Sequence, residues 1–354
     1  MYTCNKLFKQ IIFLCATTLI IILNVWCSIH VFAEDTSSNE FGGFSIEGIP
    51  NKNQLDKNAS YFYLHEEPKT KDKLTFKLNN SASKEKKLEI KVVDGNTNSN
   101  GIVDYTGSLK NNKALKVPLT SIVKPEQKEV IVPKNGSIET NLNVNMPNKK
   151  FSGVILGGVI VSEKKADQQL KKGTVGNEYS YTIGIVLTNE NKVELFKNVS
   201  VELKKVGPVL SAGKKVVQAD ILNPNPYIFA KAEITGAVYE VNNGKKIKEH
   251  SMQNVSIAPY SAFPFQIDWQ KNELKTGNYV FKGSVKTAEN TWEFEKNFTI
   301  KNEEAKQINK ESVFSIVLPQ WFKYSSMILI GVLTVGTIFV FLKSVNRKNN
   351  QKEK

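Results

Sequence analysis

Cysteine is confined to the first 33 of the 354 residues: Cys4, Cys15 and Cys27 all fall there, and none follows. Beyond that point the chain can form no disulfide, offer no thiol nucleophile and ligate no metal through sulfur. Histidine is nearly as scarce, with only His65 and His250 after residue 33. No HExxH, GxSxG or phosphate-binding loop occurs, so the common hydrolytic and phosphoryl-transfer chemistries have no carrier. The neighbouring carboxylates Glu66 and Glu67, and Glu293 and Glu295, sit in turn-like or strand-like sequence with nothing to mark a cleft between them. These absences point to a binding or structural protein, not an enzyme, with no cofactor and no metal. A cation-binding reading of Asn96, Asn98, Asn100 and Gly101 fails as well. Its first ligand would be Asn instead of Asp, and Gly107 stands where the closing Glu belongs.

Long apolar runs are missing except at two places. Residues 1–33 open with Lys6 and Lys9, continue with an apolar stretch over 11–25 and end in Val31-Phe32-Ala33, the order of a cleaved secretory signal. Residues 321–342 carry Trp321 and Tyr324 at one end, no charge from Met327 to Leu342, and Lys343, Arg347 and Lys348 just beyond. About 20 residues cross a bilayer, and a basic flank stays inside. The expected topology is therefore single-pass type I in a cell membrane, with the N-terminal side outside. Export without cysteine fits a bacterial surface better than a eukaryotic one, and it removes nucleic acid as a partner.

Between residues 34 and 320 stand 40 Lys and Arg against 33 Asp and Glu. That modest basic excess gives a non-specific attraction to anionic wall polymers, screened beyond about 8–10 Å. The hydrophobic pattern of the same region has a period of two: Leu74/Phe76/Leu78, Leu88/Ile90/Val92, Ile183/Ile185/Leu187, Val199/Val201/Leu203, Phe263/Phe265/Ile267/Trp269 and Tyr279/Phe281. Such alternation marks half-buried strands. Asn135-Gly136, Asn243-Gly244 and Thr276-Gly277-Asn278 read as turns, the Asn-Gly at 243–244 as a two-residue hairpin. The expected class is all-β: two tandem immunoglobulin-like β-sandwiches plus one C-terminal transmembrane helix. The expected division is a signal at 1–33, a disordered N-terminus at 34–43, a first sandwich at 44–162 and a linker at 163–176. A second sandwich follows at 177–300, then a stalk at 301–320, a membrane span at 321–342 and a basic cytoplasmic tail at 343–354.

Two stretches stand out as candidate binding surfaces. Residues 96–105 gather Asn96, Asn98, Asn100, Asp104 and Tyr105. Amides that donate and accept beside an aromatic face suit a sugar; the same composition also makes an ordinary Asn-rich hairpin turn. Ser256-Ile-Ala-Pro-Tyr-Ser261 leads into a dense aromatic alternation, from which Tyr260, Phe263 and Phe265 are candidate partner-docking residues if that strand is exposed. Its other reading is core. Glycines in the apolar run 151–158 imply close backbone approach.

Several segments in this order resemble one family. Residues 44–54, Tyr61-Phe-Tyr-Leu64, 97–105, Leu115-Lys-Val-Pro-Leu119 and 151–158 are similar to the peptidoglycan-binding domain of the WxL-interacting cell-surface proteins of low-GC Gram-positive bacteria. Residues 256–261, Trp269, Gly277-Asn-Tyr279 and Trp292-Glu-Phe294 resemble the same family's host-binding domain. The turn at 66–73 departs from the family pattern, which carries Pro-Gly followed closely by Gln. The resemblance implies a membrane-anchored surface protein that binds peptidoglycan through its first domain. Its second domain would dock a secreted WxL-domain protein, a host extracellular-matrix protein or both. A spacer that holds another protein off the membrane, or a host adhesin acting alone, would have the same outline.

Overall fold

The computed structural model describes residues 41–164, 179–313, 321, 324–325 and 327–337. The expected signal segment and cytoplasmic tail lie outside these residues, as do 34–40, 165–176 and 314–320. Of the expected span, residues 321, 324–325 and 327–337 are helical and exposed where described. Among the described residues no helix is long and apolar enough to cross a membrane.

The first half of the chain forms β1 (Phe44–Gly48), β2 (Phe62–His65), β3 (Lys71–Asn80), β4 (Lys86–Asp94), β5 (Asn96–Thr97), β6 (Val103–Asp104), β7 (Val123–Pro125), β8 (Glu129–Val132), β9 (Gly136–Asn145) and β10 (Ile155–Glu163). A further strand, β11 (Ser180–Thr188), follows. One sheet has the order β1-β3-β9-β7, and the facing sheet has the order β2-β11-β10-β4-β8. Side-chain alternation builds the core between them. Leu74, Phe76 and Leu78 of β3 are fully buried while Lys73 and Lys77 point away, as the period of two requires.

Strand β11 corrects the expected domain division. It runs antiparallel to β10, with Ile155 opposite Leu187 and Ser162 opposite Ser180, and parallel to β2, with Ile185 opposite Phe62. It is an interior strand of the first sandwich, not the first strand of the second. Ile183, Ile185 and Leu187 fill the core beside Val159 and Val161. Alternation told which residues of 183–187 are buried but not in which of two sandwiches, because a strand carries no mark of its sheet. The first folded unit therefore extends to Thr188.

The second sandwich begins with β12 (Glu202–Ser211) and β13 (Lys214–Leu222), followed by β14 (Phe229–Glu240), β15 (Lys246–Ile257), β16 (Ala262–Asp268), β17 (Gly277–Lys286) and β18 (Thr291–Ile300). Its sheets are β12-β13-β16 and β15-β14-β17-β18. Phe229, Phe263, Phe265 and Phe281 lie at its centre, each 1% exposed or less. Phe265 meets Phe263 and Phe281 edge-on, with ring centroids 6.2 and 6.4 Å apart, the geometry the ring quadrupole favours. Val199 was expected on a strand but is exposed in the irregular segment before β12. The hairpin around Asn243-Gly244 has five loop residues, 241–245, rather than two, with Gly244 at φ 64° and its amide bonded to the Glu240 carbonyl.

The expected stalk at 301–320 starts as a helix, Asn302–Glu311, packed on the second sandwich. Ala305 and Ile308, three residues apart on one face, are buried in its core. Asn309 clamps Leu274 from both sides, accepting its amide at 2.9 Å and donating to its carbonyl at 3.0 Å. Glu303 and Glu304 in the first turn and Lys310 in the last suit the helix dipole. Two apolar residues in a charged stretch were too faint a signal to read as an amphipathic face.

A candidate binding site at the joint between the sandwiches

Both stretches that stood out in the sequence meet at the joint. The hairpin β5–β6 reaches from the first sandwich to the segment leading into β16. Thr97 lies at its root, 3% exposed. Its amide donates to the Ser261 hydroxyl at 3.0 Å, and its own hydroxyl accepts the Ala258 amide at 2.9 Å. The Gly101 carbonyl accepts the Ser256 amide at 2.7 Å. Gly101 takes φ +71°, and a Cβ there would stand 3.0 Å from both Val255 methyls, so glycine is needed for both reasons. Behind the contact, Asn223 is fully buried and donates to the carbonyls of Tyr227, Ile257 and Ala258.

The candidate glycan residues divide accordingly. Asn96 is buried and its side-chain amide donates to Asn111 Oδ1 at 2.9 Å, which turns it away from a ligand. Asn98 donates to Asp104 at 3.2 Å and accepts the Asn100 amide at 2.9 Å, a local turn-closing bond. Burial works against the charge of Asp104. Hydrogen bonds from the Thr106 hydroxyl and amide and from Asn98 outweigh it and hold the carboxyl below its ordinary range. Asn100 is exposed at the tip. Tyr105 is partly buried and lines a pocket described below. The candidate docking residues fare differently. Phe263 and Phe265 are 0% exposed in the second core, so they cannot contact a partner. Tyr260 is partly buried at φ +55°, and burial together with Tyr227 raises its pKa.

A third apolar cluster fills the space between the sandwiches. Leu156 and Val186, on the outward face of the five-stranded sheet, pack with Ile228, Ala230 and Ala258 of the second sandwich. The connector 189–201 crosses this face. The Tyr63 hydroxyl donates to the Val193 carbonyl at 3.3 Å, Ile228 donates its amide to Leu195, and Lys197 donates to Ile228. The turn at 66–73 anchors the start of the connector. The Asn189 amide donates to the Glu66 carbonyl at 2.5 Å, and its oxygen accepts the Phe151 amide. The Glu66 side chain is 2% exposed and accepts from Asn53 and Thr70. Burial, aided by Asp72, pushes its carboxyl up. These bonds tie the turn at 66–73 into the first sandwich and the start of the connector.

One hollow remains within this cluster, a pocket of about 450 Å³. Its floor rests on a pair of glycines, Gly158 and Gly184, directly opposite each other across β10 and β11. The Tyr105 ring lies 3.5 Å from where a Gly158 Cβ would stand, and Tyr61 is 3.5 Å from the equivalent point at Gly184. At Gly158 a Cβ would also stand 2.9 Å from the Ile183 carbonyl oxygen, so the close approach there is backbone to backbone. Leu195, Phe196 and Ile102 form walls, with Phe196 62% and Ile102 53% exposed at the rim. Burial, with a contribution from Tyr61, pushes the Tyr105 hydroxyl up to about 12, so it stays a neutral donor and acceptor. The sequence offered Tyr61 and Tyr105, but Phe196 and Leu195 lie in a segment without periodicity. Only the two glycines inside apolar strands hinted at a covered sheet face.

A larger hollow of about 810 Å³ lies on the four-stranded sheet of the second sandwich. Short side chains, Thr235, Ala237 and Ser284, line it, flanked by Tyr239, Glu293 and Glu295. Among the described residues no group of three or more His, Cys, Asp or Glu side chains is placed to hold a metal ion.

Replacing Thr97 by Val keeps the shape but leaves the Ala258 amide without its acceptor, at a cost of about 1–3 kcal/mol. The expected result is faster hydrogen exchange at Ala258 and looser coupling of the two units. Unchanged exchange there would show that the hydroxyl does not hold the joint.

Two family models match the chain in order: "WxL Interacting Protein, peptidoglycan binding domain" over residues 44–163 and "WxL Interacting Protein, host binding domain" over 170–310. Both describe binding domains. No curated protein matches. Solved structures with similarity include the E. coli chaperone DraB at 12% identity, covering 73% of this chain and 97% of that one with a TM-score of 0.28. The Pseudomonas aeruginosa CupB2 chaperone is 12% identical over 65% of this chain and 93% of its own, with a TM-score of 0.24. A PapD-like domain of human CEP192 is 10% identical over 42% of this chain and 85% of its own, with a TM-score of 0.26.

Proposed function

Because the chain belongs to the WxL-interacting protein family, as its two ordered domain matches establish, we propose that it is a non-catalytic cell-surface protein that binds peptidoglycan and docks a protein partner. The first domain carries the wall affinity. The second engages a secreted WxL protein, a host matrix protein or both. The apolar, uncharged sequence from Met327 to Leu342 with its basic flank supports a membrane anchor of type I topology in a Gram-positive cell. The observation that carries the binding reading is the order of the two matches along two packed sandwiches, with aromatic side chains gathered where they meet.

The test is retention of the full-length protein on purified peptidoglycan stripped of teichoic acids, across a salt series. A specific site retains the protein at high salt. The basic excess alone releases it, because exposed charges beyond about 3 Å are screened at 1 M ionic strength. Loss of all retention at high salt would leave only charge attraction.

Partner docking falls to the hollow on the second sandwich, since the aromatic strand is core. Its lining of short outward side chains on β14 and β17 leaves room for side chains of another protein. Filling it with Ala237→Trp, on the outward face of β14, is expected to weaken WxL-partner capture about tenfold or more, equivalent to ~1.4 kcal/mol. Wall retention should not change. Undiminished capture by a folded variant moves the docking surface elsewhere.

A further inference from the structure

The pocket at the joint has no Lys, Arg, Asp, Glu or His in its lining, in a chain whose overall balance is strongly basic. We propose that this pocket is a saccharide site, taking a neutral N-acetylated hexosamine unit of the peptidoglycan glycan strand, and that both domains build it. The proposal rests on the peptidoglycan-binding reading above and names the moiety recognised.

Charge decides between the parts of peptidoglycan. Stem peptides carry carboxylates and amines, and burying these without a partner charge is strongly unfavourable. The glycan strand is a chain of neutral rings wherever the lactyl groups are amide-linked to peptide. Each ring has an apolar C–H face, hydroxyls and an acetamido methyl. The pocket offers a match for all three. Tyr61, Tyr105 and Ser256 bring aromatic rings and hydroxyl groups to the lining, and Leu156, Val186 and Leu195 bring apolar side chains. Its volume of about 450 Å³ falls within the range of about 300–1,000 Å³ usual for small-ligand sites.

The glycine pair at 158 and 184 lies beneath the site. With no Cβ on either strand at this point, Tyr105 packs over Gly158 and Tyr61 over Gly184. Ownership is divided. Tyr61, Tyr105, Leu156, Gly184 and Val186 belong to the first sandwich, Leu195 and Phe196 to the connector, and Ile228 and Ser256 to the second sandwich. A sugar seated here touches both units and holds them in one arrangement, so wall contact is coupled to the orientation of the second sandwich.

The experiment uses the full-length protein in detergent, with chitotetraose as the neutral glycan probe and a free stem pentapeptide beside it. Binding is read by titration calorimetry and by competition against retention on purified peptidoglycan. Phe196→Ala and Ile102→Ala change exposed rim residues that the cores do not need. Chitotetraose is expected to bind, to release the protein from the wall, and to bind at least tenfold more weakly to Phe196→Ala at unchanged melting temperature. The proposal is overturned if the protein binds the wall but chitotetraose neither binds nor competes. It is equally overturned if the pentapeptide competes instead, if a WxL-protein fragment takes the pocket in its place, or if both rim variants bind as the native chain does. Those outcomes leave the wall-binding reading standing. Absence of salt-resistant wall retention removes that reading and this site together.

Discussion

Expressed by themselves, residues 44–163 are expected to show no cooperative unfolding transition, whereas residues 41–190 are expected to melt as a folded unit. The shorter piece is the full extent of the peptidoglycan-binding match, and domain-swap experiments would naturally use it. It lacks β11, the strand between β2 and β10. Without that strand β2 has no neighbour in the five-stranded sheet, and β10 presents a bare edge along its whole length. Ile183, Ile185 and Leu187, each 5% exposed or less, also leave the core. Each such side chain contributes about 1.5–3 kcal/mol on burial, against a total stability of about 5–15 kcal/mol for an ordinary domain. The loss is comparable with everything the domain has. Far-UV circular dichroism against temperature reads the outcome. A sharp transition for 44–163 matching that of 41–190 would mean that β11 is a passive addition.

The second large effect is Phe265→Ala. Its ring is fully buried, meets Phe263 and Phe281 edge-on, and stacks near His250 with centroids 5.6 Å apart. Deleting a buried Phe side chain costs about 3–5 kcal/mol, because the lost transfer energy adds to that of the cavity left behind. Gly236 makes the site unforgiving in the other direction, since a Cβ there would stand 2.6 Å from the Phe265 ring. The variant should lose a large part of the second sandwich's stability in urea. Any loss of partner capture should follow the unfolded fraction instead of appearing in folded protein. A folded Phe265→Ala protein with normal stability and no capture would restore this residue to a docking role.

What the sequence made legible was the local part of the fold. Burial in β3, β11, β16 and β17 follows the alternation of apolar residues, since the pleat assigns faces without reference to any other strand. Sheet membership was not legible. Ile183/Ile185/Leu187 alternates equally well in either sandwich, and only pairing with Val159 and Val161 decides. The site was half legible for the same reason. The stretch 96–105 was conspicuous for its amides beside an aromatic side chain, and 256–261 for the aromatic alternation it opens. That chemistry serves a joint as readily as a ligand, and Thr97, the residue that ties the two together, looked like an ordinary turn residue. Phe196 could not be read at all. Its place beside Tyr61, Tyr105 and Gly184 is set by tertiary packing, not by any local pattern.

The placement of β11 also governs how the molecule carries load. If the first unit grips the wall and the second is anchored in the membrane, tension enters the first sandwich at Thr188, at the end of a strand hydrogen-bonded to β10 along its length and to β2 over Ile185–Thr188. Pulled along its axis, β11 is held by antiparallel bonds to β10 that stand perpendicular to it and by slanted parallel bonds to β2. Those bonds must therefore be sheared together, not opened one after another. Leaving from an interior strand, the connector would pass such a load to two neighbouring strands at once instead of one.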